Sequence, residues 1–228
     1  MPRVPRLRLV GPKSVNHCTW RSHNHELILD SEQARAVFRE LLLKYKDKYG
    51  ILIHAYCLMG THPHLVITCT RDQRSFSAFF QVVNQRFARW HNLRHGQCGQ
   101  VVMERLRSPQ VQDGQHLLTV MRYGDLNPVR AGICNSAKDW PASSYRHYAF
   151  GDADPLITDA TEYLALGDTP AKRRLAYQSL FAANWVADLL SRRREFTLAS
   201  FIGDPEWVGP RLVTAGLSPP ADSVVHPG

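Results

Sequence analysis

Two apolar runs on either side of Gly60-Thr61 constrain the fold of this chain more than any other feature. Residues 51–59 (ILIHAYCLM) and residues 62–69 (HPHLVITC) are both rich in apolar and β-branched residues. Runs of this composition, separated by a short turn that contains glycine, predict two strands of a buried β-hairpin. Pro63 falls within the second run, so we expect it at a strand start, an edge or a bulge, where its missing N–H costs nothing.

Amphipathic helices are predicted before and after this hairpin. The first can be capped by Asp30 or Ser31 and ends at Gly50, and its buried face comprises Ala34, Val37, Phe38, Leu41, Leu42 and Tyr45. The second is predicted to open at Ser75, and its buried face comprises Phe76, Phe79, Phe80, Val83, Phe87 and Trp90.

The rest of the chain completes an α+β pattern. Residues 14–29 and 100–112 hold strand-like stretches, and a helix capped by Asp113 must stop near Asn127, because Pro128 disfavours helix in the residue before it. Beyond residue 150, helical patterns cover residues 159–166, 171–193, 195–202 and 205–215. The order of elements predicts a ferredoxin-like or RNA-recognition-like antiparallel sheet with helices on one face. Residues 1–150 would form this domain, and residues 151–228 a mainly helical extension with a frayed end.

Charge is distributed unevenly along the sequence. The chain contains 22 Arg and 6 Lys, with a net charge of +8. Residues 1–150 carry +11, whereas residues 151–228 carry −3. The planar guanidinium of arginine matches phosphates and base edges, so a basic body of this kind favours a polyanionic partner.

Composition argues against several other classes of protein. Hydrophobic residues make up 44% of the chain, which predicts a packed core, but no apolar run approaches the ~20 residues of a membrane span. The basic N-terminus, residues 1–14, contains three prolines and no apolar region typical of a signal peptide. Five cysteines without a C-x-x-C pair argue against a disulfide scaffold and a thiolate zinc finger. We therefore expect a cytoplasmic protein with no membrane partner.

Two short motifs carry side chains that could perform chemistry. Residues i and i+2 of a strand share a face, so His62 and His64 could approach one cation, although many such pairs are structural. Tyr123 and Asn127 share a helix face at a spacing of four residues. A tyrosine can act as a covalent nucleophile, and an Asn carbonyl oxygen suits Mg²⁺ or Mn²⁺. A packed tyrosine and a capping asparagine would produce the same pattern, so these residues alone leave both interpretations open.

Several separated segments resemble the REP-associated tyrosine transposases, which belong to the HUH group of endonucleases. The resemblance extends to about residue 150 and rests on Arg105 and on the segments GILIHAYCLMGTHPHLVI, FARWHNLRHG, RYGDLNPVRAGI and DWPASSYRHY. The chain departs from the family pattern at Gly60-Thr61, Pro63, Glu104 and Gly124. The segments occur in the family's order, which makes the resemblance far more specific than an H-x-H pair.

The resemblance implies a ferredoxin-like fold and a metal-dependent enzyme that cuts single-stranded DNA near hairpins through a 5′-phosphotyrosine intermediate. It implies that Tyr123 is the nucleophile and that His62, His64 and Asn127 hold a divalent metal, Mg²⁺ or Mn²⁺. The partner would be single-stranded or hairpin DNA, bound by a nucleoid-associated monomer or homodimer. The arginines expected to hold the DNA are Arg86, Arg89, Arg94, Arg105, Arg122 and Arg130.

A hairpin-binding protein without catalysis, derived from a transposase, is the main alternative. A basic, aromatic ferredoxin-like surface also binds RNA or DNA without cutting it. In that case His62 and His64 would be structural and Tyr123 a packing residue. The position of Tyr123 relative to the two imidazoles distinguishes the alternatives.

Overall fold

A five-stranded sheet with the strand order β2-β3-β1-β4-β5 forms the centre of the fold. The computed structural model describes residues 10–11, 13–102, 105–182, 196 and 199–217. The β1–β3, β2–β3 and β1–β4 pairs are antiparallel, and β4–β5 is parallel. The strands are β1 (Val15–Thr19), β2 (Ile51–Leu58), β3 (Pro63–Cys69), β4 (Gln110–Val111) and β5 (Phe201–Ile202).

Eight α-helices are described around this sheet. They are α1 (Glu32–Tyr49), α2 (Gln73–His95), α3 (Gln115–Asp125), α4 (Asn127–Arg130), α5 (Tyr145–Phe150), α6 (Thr161–Leu164), α7 (Pro170–Ser179) and α8 (Pro205–Thr214). Short 3₁₀ turns cover His23–His25 and Ala137–Asp139. Over the ranges that the structure describes, no helix combines the length and apolar character that a bilayer crossing requires.

The predicted hairpin forms, with Gly60-Thr61 in the connection between β2 and β3. Pro63 is the first residue of β3 and lies opposite Leu58, which agrees with the expectation of a strand start. β3 lies between β2 and β1, and every residue of β3 is buried. The continuous apolar run therefore reflects a strand that is covered on both faces.

Alternation along β3 creates two cores. Leu65 and Ile67 face the core that α1 and α2 cover, whereas Val66 faces the core that α3, α5 and α7 cover. The α+β class is confirmed, but helices lie on both faces of the sheet rather than on one. The physical reason is that a strand with apolar side chains on both sides must bury both.

Helix caps agree with the sequence at one site and differ at two. Ser31 Oγ accepts a hydrogen bond from the Ala34 amide at 3.1 Å and caps α1. α2 begins two residues before Ser75, because the Asp72 carboxylate caps it by accepting from the Ser75 amide at 2.7 Å. α3 begins after Gly114, which makes no side-chain cap, so the cap predicted at Asp113 is wrong.

The C-terminal part of the chain differs most from its predicted helical pattern. β5 replaces the end of the helix predicted over 195–202, because Phe201 and Ile202 are buried alongside β4. Tyr163 and Tyr177 are buried in the same core as α3, so residues from the extension complete that core. Helix predicted over 183–193 and the end predicted to be frayed lie outside the described residues.

Candidate active site

The start of β3 brings two imidazoles together. His64 lies opposite Thr19 of β1 and Cys57 of β2 and is only 3% exposed. His62 lies just before Pro63, and its ring centroid is 4.9 Å from that of His64. The i, i+2 spacing in the sequence therefore does place both rings on one side of the sheet.

Tyr123 lies against this pair from the helix that crosses the same face. α3 places its ring centroid 6.3 Å from that of His64, in an edge-to-face arrangement. The Tyr123 side chain is buried beneath Phe196, whose ring centroid is 4.6 Å away. The structure thus joins two motifs that are about 60 residues apart in the sequence.

Arg130 occupies the other side of the tyrosine. Its guanidinium carbon lies 3.8 Å from the Tyr123 ring centroid, and the guanidinium donates to the Tyr123 carbonyl oxygen at 3.1 Å. It also donates to Oδ1 of Asn127, whose amide nitrogen donates to the Gly124 carbonyl. The oxygen with which Asn127 would bind a cation thus already faces a positive charge. The ligand role of Asn127 stays a prediction, and Arg130 lies within the site.

The other predicted DNA-binding arginines are divided by the fold. Arg122 is buried, with its guanidinium carbon 5.9 Å from the Phe181 ring centroid, and burial lowers its pKa. Its burial, on the side of α3 that packs into the core with α5 and α7, argues against the predicted contact with DNA, which stays a prediction. The exposed members of the set are Arg86, Arg89 and Arg94 of α2, and Arg105. Their role in DNA binding stays a prediction.

His17 also contributes to this site, although no motif in the sequence indicated it. This β1 residue is fully buried, and its ring lies edge to edge with that of His64 in nearly the same plane, with an interplanar angle of 10°. Its Nε2 lies 2.9 Å from His64 Nδ1, and its Nδ1 lies 3.0 Å from the Phe196 carbonyl oxygen. Strand pairing creates the contact between His17 and His64, since the two residues lie on different strands and share no local motif.

Burial keeps the imidazoles of His17 and His64 neutral. Desolvation lowers the pKa of His17 to about 4, and the bond to the Phe196 carbonyl offsets this only in part. Desolvation also holds the pKa of His64 well below its usual range, and the positive charges of Arg130 and Arg21 act in the same direction. A neutral imidazole has one nitrogen with a lone pair, which is the form that binds a metal.

The chemistry of His62 and His64 is compatible with binding of a divalent cation. His64 Nε2 is buried and has no hydrogen-bond partner among the described residues. A buried nitrogen of this kind is costly unless something else binds it. Across the described ranges, no group of three or more His, Cys, Asp or Glu side chains could hold a metal. His62 and His64 would therefore supply two ligands, and water or substrate oxygens the rest.

A small cavity adjoins the histidines beneath α3. Its lining includes His64, Gly124 and Asp125. Asp125 is buried, and desolvation raises the pKa of its carboxyl to about 7. The hydroxyls of Tyr177 and Ser144 donate to this carboxyl at 2.8 and 3.2 Å. Asp125 was not predicted as a site residue, because its burial depends on α5 and α7.

No protein-family model and no curated protein matches this chain. Among solved structures, it is similar to a REP-associated tyrosine transposase bound to a REP hairpin, with a TM-score of 0.56 and 18% identity, over 71% of this chain and 96% of that chain. A putative transposase from Deinococcus radiodurans R1 aligns with a TM-score of 0.37 and 16% identity, over 51% and 88% of the two chains. The chain is therefore related in fold to a REP-associated tyrosine transposase, as its sequence motifs imply.

Proposed function

We propose that this protein is a metal-dependent endonuclease and strand transferase that cuts single-stranded DNA near hairpins through Tyr123. The observation that carries the proposal is the proximity of Tyr123 to His64, with a distance of 6.3 Å between their ring centroids. Nε2 of His64 has no hydrogen-bond partner among the described residues. Hairpin DNA is proposed as the substrate because the similar solved structure is of a transposase bound to a REP hairpin. The exposed arginines of α2 would hold the backbone.

The proposed reaction is an in-line displacement at phosphorus. The Tyr123 oxygen attacks, a phosphotyrosine bond forms, and the bond from phosphorus to the 3′ oxygen breaks. The phenol loses its proton, and the departing 3′ oxygen gains one. The products are a 5′-phosphotyrosine link and a free 3′-hydroxyl, and attack by that hydroxyl rejoins strands without ATP.

Two features would lower the barrier to this attack. A divalent cation held by His62 and His64 would withdraw charge from a non-bridging phosphate oxygen. The guanidinium of Arg130, 3.8 Å from the Tyr123 ring centroid, would stabilise the negative charge that develops on the phenolic oxygen. Since Tyr123 is 3% exposed and Phe196 covers its ring, the Phe196 side chain must move before a phosphodiester can enter.

A covalent-adduct assay tests the proposal. The wild-type chain, mixed with Mn²⁺ or Mg²⁺ and a single-stranded oligonucleotide that carries a hairpin, should give a band that resists denaturation. Tyr123→Phe should bind the oligonucleotide and give no such band. Tyr163→Phe is the matched control, because Tyr163 is a buried tyrosine of the same core that donates to the Tyr148 carbonyl. It should retain the adduct.

The same assay separates the enzyme from the non-catalytic alternative. The burial of Tyr123 beneath Phe196 is the observation that favours a binding protein. Salt-sensitive binding of the hairpin, with no protein–DNA adduct in either Mn²⁺ or Mg²⁺, would support that alternative. Cleavage that persists in Tyr123→Phe would refute the nucleophile assignment.

A further inference from the structure

His17 is a buried side chain that the proposed reaction does not use. It lies opposite Val66 in the β1–β3 register, diagonal to His64, so that the two imidazoles share a face of the sheet. Their rings are nearly parallel, with centroids 5.1 Å apart. A buried polar pair of this kind needs a reason, because two apolar side chains would fill the same space without a desolvation cost.

The hydrogen bonds of His17 determine where its proton lies. A carbonyl oxygen only accepts, so the bond to Phe196 requires a proton on Nδ1 of His17. In a neutral imidazole, Nε2 then carries a lone pair and can only accept. The short contact between His17 Nε2 and His64 Nδ1 therefore requires that His64 donates from Nδ1.

The proton on Nδ1 of His64 determines the state of its other nitrogen. His64 Nε2 must carry a lone pair, and this is the buried atom that has no partner within the described residues. The chain of bonds from Phe196 through His17 to His64 thus leaves the lone pair on Nε2 of His64, whose ring centroid is 4.9 Å from that of His62.

We propose that His17 is a positioning residue that holds His64 in the Nδ1-protonated tautomer and orients its Nε2 towards a divalent cation shared with His62. This inference rests on the proposed function, and it goes further by assigning a role to a residue outside the H-x-H motif. Metal-binding histidines commonly donate their second nitrogen to a carboxylate, a backbone carbonyl or water, and loss of that acceptor weakens metal binding about 10–100-fold. Here the imidazole of His17 would be the acceptor.

Mn²⁺ binding to the full chain, measured by titration calorimetry, tests this role. His17→Leu removes the acceptor and should weaken Mn²⁺ binding about 10–100-fold. His17→Gln offers an amide oxygen to His64 Nδ1 and should restore most of the affinity. His54→Leu is the control, because His54 is a buried sheet histidine that bonds to Thr158 and Thr68. It should leave Mn²⁺ affinity unchanged.

Nitrogen NMR of the metal-free wild-type protein gives a second readout that needs no variant to fold. His64 should carry its proton on Nδ1, and a proton on Nε2 would overturn the proposal. Unchanged Mn²⁺ affinity in a folded His17→Leu, or no Mn²⁺ binding by the wild type, would also overturn it. His17-dependent Mn²⁺ binding without a DNA adduct would support the role of His17 while refuting the endonuclease.

Discussion

Gly124→Ala should stabilise the protein, although Gly124 lies in the last turn of a buried helix. Apart from its chain neighbours and the backbone of its own helix, a Cβ at this position would meet no atom within 4 Å, and the residue has ordinary helical backbone within α3. Replacing glycine by alanine inside a helix contributes roughly 0.5–1 kcal/mol to the free energy of unfolding. The added methyl group enters the cavity beside His64, but without close contacts it gains only part of the ~0.8 kcal/mol of a buried methylene.

The expected gain in the free energy of unfolding is therefore about 1 kcal/mol, or roughly 2–4 °C in melting temperature for a chain of this size. Urea and thermal unfolding measure it. Gly50→Ala is the matched control, since Gly50 has φ of 65° and an added Cβ would lie 2.6 Å from Thr70 Oγ1. That variant should lose stability. A Gly124→Ala protein no more stable than the wild type would refute the open space inferred beside Gly124.

Two further predictions concern stability. The pKa of Asp125 is raised to about 7, so the folded state binds the carboxyl proton more tightly than the unfolded state does. The protonated carboxyl therefore contributes its full stability below about pH 4, and this contribution is lost as pH rises to about 7. Relative to the wild type, Asp125→Asn should therefore gain free energy of unfolding as pH rises from about 5 to about 8, measured by urea titration. A difference between the two proteins that does not change with pH would contradict the raised pKa of Asp125. Ser31→Ala should lower the free energy of unfolding by about 1 kcal/mol, whereas Asp113→Ala, at a predicted cap that does not form, should change it by less than about 0.5 kcal/mol.

Local patterns in the sequence determined what could be predicted of the fold. The hairpin, the strand start at Pro63 and the face of α1 each depend on residues within a few positions of one another, where alternation and helical spacing are direct signals. The order in which the strands pair depends on distant segments. β5 joins the sheet through contacts of Phe201 and Ile202 with β4, about 90 residues earlier, and no local pattern encodes that pairing.

The candidate site, like the fold, could be predicted from the sequence only where it depends on local patterns. His62 and His64 share a face because of strand alternation, and the resemblance supplied Tyr123. The role of His17 depends on the β1–β3 register and on Phe196, which is 179 residues away. Burial of Arg122 depends on Phe181, just beyond α7. Side chains whose environment comes from a distant segment are the ones that the sequence alone placed wrongly or overlooked.

Some of the predicted DNA-binding arginines are exposed and one is buried, which allows a test of where DNA binds on the protein. Arg86, Arg89 and Arg94 are exposed on α2, which covers the face of the sheet opposite α3 and Tyr123. If they hold single-stranded DNA, each lost phosphate contact should reduce the slope of log affinity against log salt by roughly 0.7. Their triple replacement by glutamine should therefore lower the slope by about 2 in fluorescence-anisotropy titrations.

Arg122→Gln is the control for this experiment, because it removes the same charge from a buried position. It should leave the salt slope unchanged and alter only stability. The two variants together distinguish a contact with phosphate from a general loss of positive charge. An unchanged slope in the triple variant would mean that DNA does not cross α2. Arg21 would then be the next arginine to replace, because it lies close enough to His64 for its charge to lower the pKa of that residue.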